Sequence, residues 1–242
     1  MIEHSGQSKE GEIYSDLLFS AHVAQDATLP HVFINIVCTL DGRTALEGKA
    51  SGLGSQADRQ VMRTLRSRAD AVMIGGGTIR AEKLSLGLDA EDPRPRPLAV
   101  ILTNTGDIPL GSNLVSDERQ RVLVLLSDTT DKGAERSIGN LAEVRRIPAA
   151  SGAIDLALAL KTLKSEYDVG RLLVEGGPTL NNALISSDLA DEMFLTLAPM
   201  LLGTSTWPTP PTTRGASTEP RNLRLLSAYV DADELFLRYS LR

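Results

Sequence analysis

Apolar residues along the chain follow two spacings, one typical of buried strands and the other of helices. Short aliphatic or β-branched runs predict strands at 31–38, 71–74, 98–102, 121–126, 143–147, 171–174 and 192–197. Apolar residues three or four positions apart predict helices at 55–68, 78–83, 154–165 and 179–186, the first capped by Ser55. Strands that alternate with helices in this way indicate βα units and a mostly parallel sheet.

The two ends of the chain depart from this alternation. Strands at 223–230 and 234–241 flank the turn at 231–233 and predict an antiparallel hairpin, which follows a Thr/Pro-rich loop at 204–220. Residues 1–30 are polar, except that Leu17, Leu18 and Ala21 in the segment 13–24 are able to pack on the body of the protein. We therefore predict an N-terminal extension at 1–30, disordered over 1–12, and a single α/β domain at 31–242.

Two stretches of the chain place adjacent glycines directly after a buried strand. One runs from Val72 to Thr78 through Gly75–Gly77, and the other runs from Leu172 to Leu180 through Gly176–Gly177. Where a strand turns through glycine into a helix, free backbone N–H groups face solvent and a phosphate is able to approach closely. Two such junctions favour a ligand with more than one phosphate, such as a dinucleotide.

Neither glycine stretch matches a complete phosphate-binding fingerprint. Neither has the GxGxxG spacing of dinucleotide-binding folds, and neither ends in the Gly-Lys-Ser/Thr of a P-loop. Two ordinary βα turns, in which glycine only permits the reversal of the chain, therefore stay open beside nucleotide binding.

Composition narrows the classes of function. A net charge of −6 disfavours a general nucleic-acid binder. No apolar run reaches the length of a membrane span, and the N-terminus lacks the basic and apolar regions of a secretory signal, so we expect a cytoplasmic protein. The single cysteine, Cys38, and three histidines confined to the first 31 residues disfavour a disulfide scaffold, a metal site and a histidine-dependent triad.

Four segments, in this order along the chain, carry a resemblance to one family: 35–43, 65–78, 174–180 and 191–203. The chain resembles the reductase domain of riboflavin biosynthesis, a dihydrofolate-reductase-like fold, over about residues 31–241. The zinc deaminase that is fused to this domain in many bacteria needs a C-x-x-C motif, which the chain lacks.

The resemblance implies an enzyme that transfers a hydride from NADPH to the ribosyl carbonyl of a phosphorylated aminopyrimidine. The product is a ribitylamino compound, and the nicotinamide carries the chemistry while the protein supplies position and electrostatics. No metal or covalent nucleophile is needed. The resemblance also implies a homodimer, for which the closing hairpin and the strand around Met193 and Phe194 are candidate interfaces.

The cofactor-binding residues are carried over from the family motifs. Thr78 is expected to cap its helix at the phosphates, Gly176 and Gly177 to cradle the pyrophosphate, and Asn104 to meet the adenosine end. No arginine cluster marks a 2′-phosphate site, although Arg119 and Arg121 are possible partners. The full set of expected cofactor contacts is Val37, Gly77, Thr78, Glu82, Asn104, Gly176, Gly177, Pro178, Thr179 and Leu180.

The substrate-binding residues have open alternatives. Asp41 is expected either to contact substrate, in a catalytic role, or to fix its turn through Asx bonding. Glu175 is expected to contact substrate in catalysis, or to be satisfied by N–H groups at a helix end. Arg66 suits a phosphate, or is a solvated charge on a helix. The expected substrate-binding set is Asn35, Arg66, Arg80 and Glu175, and Cys38 is interpreted as a small buried residue.

The chain departs from the family pattern after the first glycine junction. Glu82 stands for the first member of an acidic pair, and Asp89 falls where a substrate-binding arginine is expected, so Arg80 or Arg94 would have to replace it. Asn35 stands where the bifunctional enzymes carry lysine. Two alternatives therefore stay open: an NADPH-dependent reductase of a pterin-like or other heterocycle, and a nucleotide-binding module without catalysis.

Overall fold

The computed structural model describes residues 13–19, 28–46, 49–50, 52–81, 85–88, 92–109, 119–150, 152–203 and 220–242. Most helices and strands in these residues lie where the apolar pattern predicts them, but a helix at 132–139 and two short strands at 149–150 and 153–154 are not predicted. In chain order they are β1 (His31–Thr39), α1 (Gln56–Arg68), β2 (Ala71–Gly75), α2 (Gly76–Ala81), β3 (Leu98–Thr103), β4 (Val122–Ser127), α3 (Lys132–Gly139), β5 (Glu143–Ile147), β6 (Ala149–Ala150), β7 (Ala153–Ile154), α4 (Leu156–Tyr167), β8 (Arg171–Val174), α5 (Pro178–Ser186), β9 (Glu192–Ala198), β10 (Arg224–Asp231) and β11 (Glu234–Ser240).

The described chain forms two compact units. The first comprises residues within 1–20, 32–64 and 178–242, and the second comprises residues within 21–31 and 65–177. The single domain expected at 31–242 stays a prediction, and the disorder expected at 1–12 and most of the loop at 204–220 lie outside the described residues.

The first unit holds strands in the order β10-β11-β9-β1. Strands β1 and β9 pair in parallel, with Asn35 opposite Phe194, whereas β11 pairs antiparallel with both β9 and β10. The predicted α/β class with a closing antiparallel hairpin is confirmed. The core of the first unit contains the fully buried rings of Phe33, Phe194 and Phe236.

The second unit holds five parallel strands in the order β8-β2-β3-β4-β5. Every residue of β4 is buried, which is the pattern of a parallel strand covered on both faces. Helix α4 begins where the Asp155 carboxylate accepts a hydrogen bond from the Leu158 N–H, and it ends at Asp168 in the left-handed conformation. The mostly parallel sheet predicted for the chain is confirmed.

Part of the N-terminal extension packs on the first unit. Ile13, Tyr14 and Leu17 are buried, so the expectation for Leu17 is confirmed. Leu18 is 81% exposed, and the expectation that it packs is wrong, because the turn at 13–16 directs its neighbour Leu17 inward instead. The Arg238 guanidinium lies over the rings of Phe19 and Phe194 and donates to the Leu18 carbonyl oxygen. Ala21 lies outside the described residues.

Candidate active site

The two glycine junctions lie side by side in the second unit. Strands β2 and β8 are neighbours, with Ala71 opposite Leu172 and Met73 opposite Val174. The Gly75 N–H donates to the Gly176 carbonyl oxygen at 2.8 Å, and the Glu175 N–H donates to the Met73 carbonyl oxygen at 3.0 Å. Ligands of open α/β sheets bind outside the carboxyl ends of the strands, and both junctions stand at that edge.

At two of these positions a Cβ atom would come unusually close to a threonine hydroxyl group. A Cβ atom at Gly177 would lie 2.7 Å from the Thr78 Oγ1, and one at Gly76 would lie 3.0 Å from the Thr103 Oγ1. The Gly176–Gly177 peptide bond is cis, and Gly176 has a φ of 101°. The hydroxyl of Thr78, in the first junction, therefore lies close to Gly177 in the second.

Thr78 does not cap helix α2 as the sequence predicted. The helix begins at Gly76, so Thr78 is its third residue and its hydroxyl faces Gly177. The chain turns from strand into helix without an intervening residue, and glycine at position 76 leaves room for the Thr103 side chain, which a larger residue would crowd.

Arg66 and Glu175, which the sequence assigns to the substrate one by one, form an ion pair with each other. Arg66 Nε and Nη2 donate to Glu175 Oε1 and Oε2, each at 2.7 Å, and Nη1 donates to the Gly87 carbonyl oxygen at 3.0 Å. Their side chains are only 6% and 10% exposed. Arg66 is thus not a solvated helix charge, and Glu175 takes its hydrogen bonds from a guanidinium rather than from helix N–H groups.

Arg80 and Arg94, the two candidates to replace the missing arginine, occupy different settings. Arg94 is bound by the carboxylate of Asp92, with Nε donating to Oδ1 at 2.9 Å, and this contact lowers the pKa of Asp92 to about 2. Arg80 donates from Nη1 to the Asp107 carbonyl oxygen at 2.7 Å and folds back toward Gly76. Asp89 and Glu82 lie outside the described residues.

Asn104 lies directly after β3, at the same edge of the sheet. Its Oδ1 accepts a hydrogen bond from the Ile154 N–H at 3.0 Å, and its carbonyl oxygen accepts one from the Thr130 hydroxyl at 2.8 Å. These contacts fix the side chain at the end of the strand while the residue stays exposed. Its amide nitrogen is the group available to a ligand.

In the first unit, Asp41 holds the turn that follows β1. Its Oδ1 accepts hydrogen bonds from the Thr39 hydroxyl at 2.6 Å and from the Leu202 N–H at 3.3 Å. The Thr39 hydroxyl, followed by the backbone N–H of Leu202, keeps the pKa of Asp41 below its usual range. Asp41 is buried, and Gly42 takes a φ of 77° in the same turn, so the geometry favours a turn-fixing role over substrate contact.

Asn35 and Val37 lie on one face of β1 and are only half-buried, whereas Ile34, Ile36 and Cys38 alternate with them and are buried. The Asn35 Oδ1 is a buried acceptor that has no hydrogen-bond partner among the described residues. An acceptor in this state is costly unless a donor reaches it, which fits a ligand-binding face. Also in this unit, Pro178, Thr179 and Leu180 form the first turn of α5.

Cys38 is a small buried residue, as the sequence predicts. Burial raises the pKa of its thiol to about 11, and the nearby Asp41 carboxylate adds to the shift.

We expect Cys38 to react with iodoacetamide at pH 8 at least about 100-fold more slowly in the native protein than in urea, because only the thiolate is nucleophilic. Mass spectrometry of the alkylated protein measures this, and equal rates in both states would contradict the buried setting.

Three residues of the site escaped the sequence analysis. Thr103 packs against Gly76, Asp107 holds Arg80, and the Gly87 carbonyl oxygen holds Arg66. Only Thr103 carries a signal in the sequence, as a polar residue at the end of an apolar strand beside Asn104.

Among the described residues no cluster of His, Cys, Asp or Glu is arranged to hold a metal ion. None of the described helices has both the length and the apolarity needed to cross a bilayer.

The fold is of the α/β class, with paired glycine junctions at the carboxyl edge of a parallel sheet. The family described as the RibD C-terminal domain matches residues 30–237, and the chain belongs to this family. The resemblance read from the sequence is thereby confirmed.

Relatives in this family carry names from riboflavin biosynthesis. The chain is 31% identical over 190 residues to the 2,5-diamino-6-ribosylamino-4(3H)-pyrimidinone 5′-phosphate reductase of Archaeoglobus fulgidus, covering 74% of this chain and 85% of the relative. It is 30% identical to the protein of the same name from Methanothermobacter thermautotrophicus, over 72% and 80% of the two chains. The riboflavin biosynthesis protein RibD of Bacillus amyloliquefaciens is 26% identical, but the match covers only 47% of its length.

Solved structures show the same fold. Acinetobacter baumannii RibD superposes with a TM-score of 0.73 at 25% identity, covering 90% of this chain and 59% of that one. A pyrimidine reductase-like protein from Corynebacterium diphtheriae superposes with a TM-score of 0.78 at 19% identity, and the match covers 96% of this chain and 98% of that one. The chain thus matches one part of the longer RibD proteins and nearly the whole of the shorter reductase-like protein.

Proposed function

We propose that this protein is an NADPH-dependent reductase that converts the ribosylamino group of a phosphorylated aminopyrimidine to a ribitylamino group in riboflavin biosynthesis. The observation that carries the proposal is the pair of adjacent glycine junctions, with the Arg66–Glu175 ion pair beside them, in a chain of this family. Two close relatives in sequence are named as reductases of such a compound.

The residues at the junctions fit a dinucleotide. Beyond its chain neighbours, a Cβ atom at Gly77 would meet nothing nearer than the Arg80 Nη2 at 4.0 Å, so the backbone at this position is open to a ligand. When bound, NADPH supplies the hydride. We propose that it is held by Val37, Gly77, Thr78, Asn104, Gly176, Gly177, Pro178, Thr179 and Leu180, and by Glu82 outside the described residues.

The substrate would be held by side chains that are already fixed in place. Arg66 fixes both oxygens of the Glu175 carboxylate, so Glu175 meets the substrate without losing side-chain entropy at that moment. The buried Asn35 Oδ1 supplies an acceptor for a ring or amino N–H group. In this proposal Arg66 acts mainly as a positioning residue for Glu175, and Asp41 shapes the turn beside β1.

NADPH oxidation by the purified protein tests the function. The phosphoribosylaminopyrimidine and dihydrofolate are supplied in parallel, and loss of absorbance at 340 nm is followed together with product mass. Turnover with the aminopyrimidine alone supports the proposal. Turnover with dihydrofolate alone would reassign the substrate to a pterin, and NADPH binding without turnover of either would indicate a binding module or another substrate.

Gly177→Ala is expected to raise the Kd for NADPH about tenfold or more. The new methyl group would lie 2.7 Å from the Thr78 hydroxyl, which must move and thereby disturb the contact between the two junctions. Gly139→Ala is the matched control, because a Cβ atom at Gly139 in α3 meets no atom within 4 Å. Fluorescence titration with NADPH measures both variants, and an unchanged Kd for Gly177→Ala would contradict a cofactor role for this junction.

Cytoplasmic location and a homodimer belong to the same proposal. The half-exposed hairpin of β10 and β11, together with Met193, offers a surface for the second copy. Phe194 does not contribute to it, since its ring is buried against Tyr14, Phe19 and Phe33 of its own chain. Light scattering during gel filtration gives the mass in solution, and a monomeric mass at micromolar concentration would contradict the dimer.

A further inference from the structure

The guanidinium of Arg80 lies over the first glycine junction. Its Nη1 is 3.5 Å from the position of a Cβ atom at Gly76, and its Nη2 is 4.0 Å from that position at Gly77. Arg80 is the fifth residue of α2, and its side chain therefore folds back toward the beginning of its own helix. The positive charge of Arg80 thus stands beside Gly77, which is exposed.

Asp107 holds the guanidinium in this orientation. Its carbonyl oxygen accepts a hydrogen bond from Arg80 Nη1 at 2.7 Å, and its carboxylate Oδ2 lies 3.8 Å from Nε. The carboxylate is 78% exposed, so solvent screens it and the charge of Arg80 is only weakly compensated. Nη2 is left facing Gly77.

We propose that Arg80 binds a phosphate group of the dinucleotide over Gly77, and so belongs to the cofactor site rather than to the substrate phosphate. This inference rests on the proposed function. A guanidinium presents several N–H donors in a fixed plane that matches phosphate oxygens, and the glycine backbone lets the phosphate come close. In a chain with a net charge of −6, a local cation offsets part of the repulsion that a phosphate would meet.

The dinucleotide carries two kinds of phosphate, the pyrophosphate and the 2′-phosphate, and ligand pairs distinguish them. Dissociation constants for NADPH, NADH and 2′,5′-ADP are measured by calorimetry for the wild type, Arg80→Ala and Arg80→Lys. Arg59→Ala is the matched control, because Arg59 is also an exposed helical arginine whose guanidinium donates to a backbone carbonyl oxygen, that of Gly54.

Loss of a charge-assisted contact is expected to raise the Kd for NADPH by about 10- to 100-fold in Arg80→Ala. Arg80→Lys should fall between Arg80→Ala and the wild type, and Arg59→Ala should match the wild type. A loss shared by NADPH and NADH would assign Arg80 to the pyrophosphate. A loss confined to NADPH and 2′,5′-ADP would assign it to the 2′-phosphate.

Two outcomes would overturn the inference, and they differ. Unchanged affinity of Arg80→Ala for all three ligands, with a raised KM for the aminopyrimidine, would return Arg80 to the substrate and leave the proposed function standing. Absence of any nucleotide binding by the wild type would remove both the inference and the proposed function.

Discussion

Replacing Arg66 with methionine is expected to lower the free energy of unfolding by about 3–5 kcal/mol, since the change breaks a buried ion pair by removing one partner. Arg66 donates to both oxygens of Glu175, and the Glu175 side chain is only 10% exposed. The variant leaves that carboxylate without its cation and frees the Gly87 carbonyl oxygen. Urea unfolding followed by circular dichroism measures the change.

Two further variants make this result interpretable. Arg59→Met changes an exposed arginine of the same helix and should cost less than about 0.5 kcal/mol. Arg66→Met combined with Glu175→Gln should recover part of the loss, because the stranded charge is gone. A broken buried pair is expected to cost well over about 1 kcal/mol. If the free energy of unfolding of Arg66→Met lies within about 1 kcal/mol of the wild-type value, the ion pair does not stabilise the site.

Replacing Tyr14 with alanine is expected to cost about 3–5 kcal/mol, the range typical of a deleted core ring. Tyr14 is 3% exposed, and its ring meets those of Phe194 and Tyr229 edge to face, with centroids 5.0 and 5.1 Å apart. The same unfolding measurement applies. This result would show that the segment at 13–19 is part of the folded core, although the sequence places it in a mostly polar extension.

Leu18→Ala is the control for Tyr14→Ala, since Leu18 lies in the same segment and is exposed; it should stay within about 0.5 kcal/mol of the wild type. Tyr14→Phe separates the contribution of the ring to stability from that of the hydroxyl group. The Tyr14 hydroxyl is buried with no hydrogen-bond partner among the described residues, and burial raises the pKa of Tyr14, so the hydroxyl stays neutral. Its removal should therefore be neutral or slightly stabilising. Similar losses for Tyr14→Ala and Leu18→Ala would contradict the packing.

The apolar pattern predicts nearly all of the elements because most of them bury a strong stripe or run. Strand β5 occupies the predicted residues, and β8 does so as well. Helix α3 was missed, since Ile138 is its single buried residue. It forms because the Asp131 carboxylate caps it by accepting from the Gly133 N–H, a contact that a search for periodic apolar residues does not detect.

In the candidate site, too, the sequence predicted some features and not others. The glycine junctions were visible because local conformation demands glycine where the chain turns sharply or another group comes close. The Arg66–Glu175 ion pair was not visible in the sequence, because its members are 109 positions apart and each alone resembles a ligand contact. The position of Arg80 over Gly77 was likewise set by its contact with Asp107, 27 residues away.

The sequence by itself determined the α/β class, the order of most strands and helices, the family, and the two junctions where a phosphate is expected. These properties follow from short-range patterns: the period of apolar residues, the turn chemistry of glycine, and motifs of adjacent residues. Only the tertiary structure decided which charges meet, that Asp41 fixes a turn, and that Tyr14 belongs to the core. Such contacts join residues far apart in the chain, and their energies depend on burial, which packing creates.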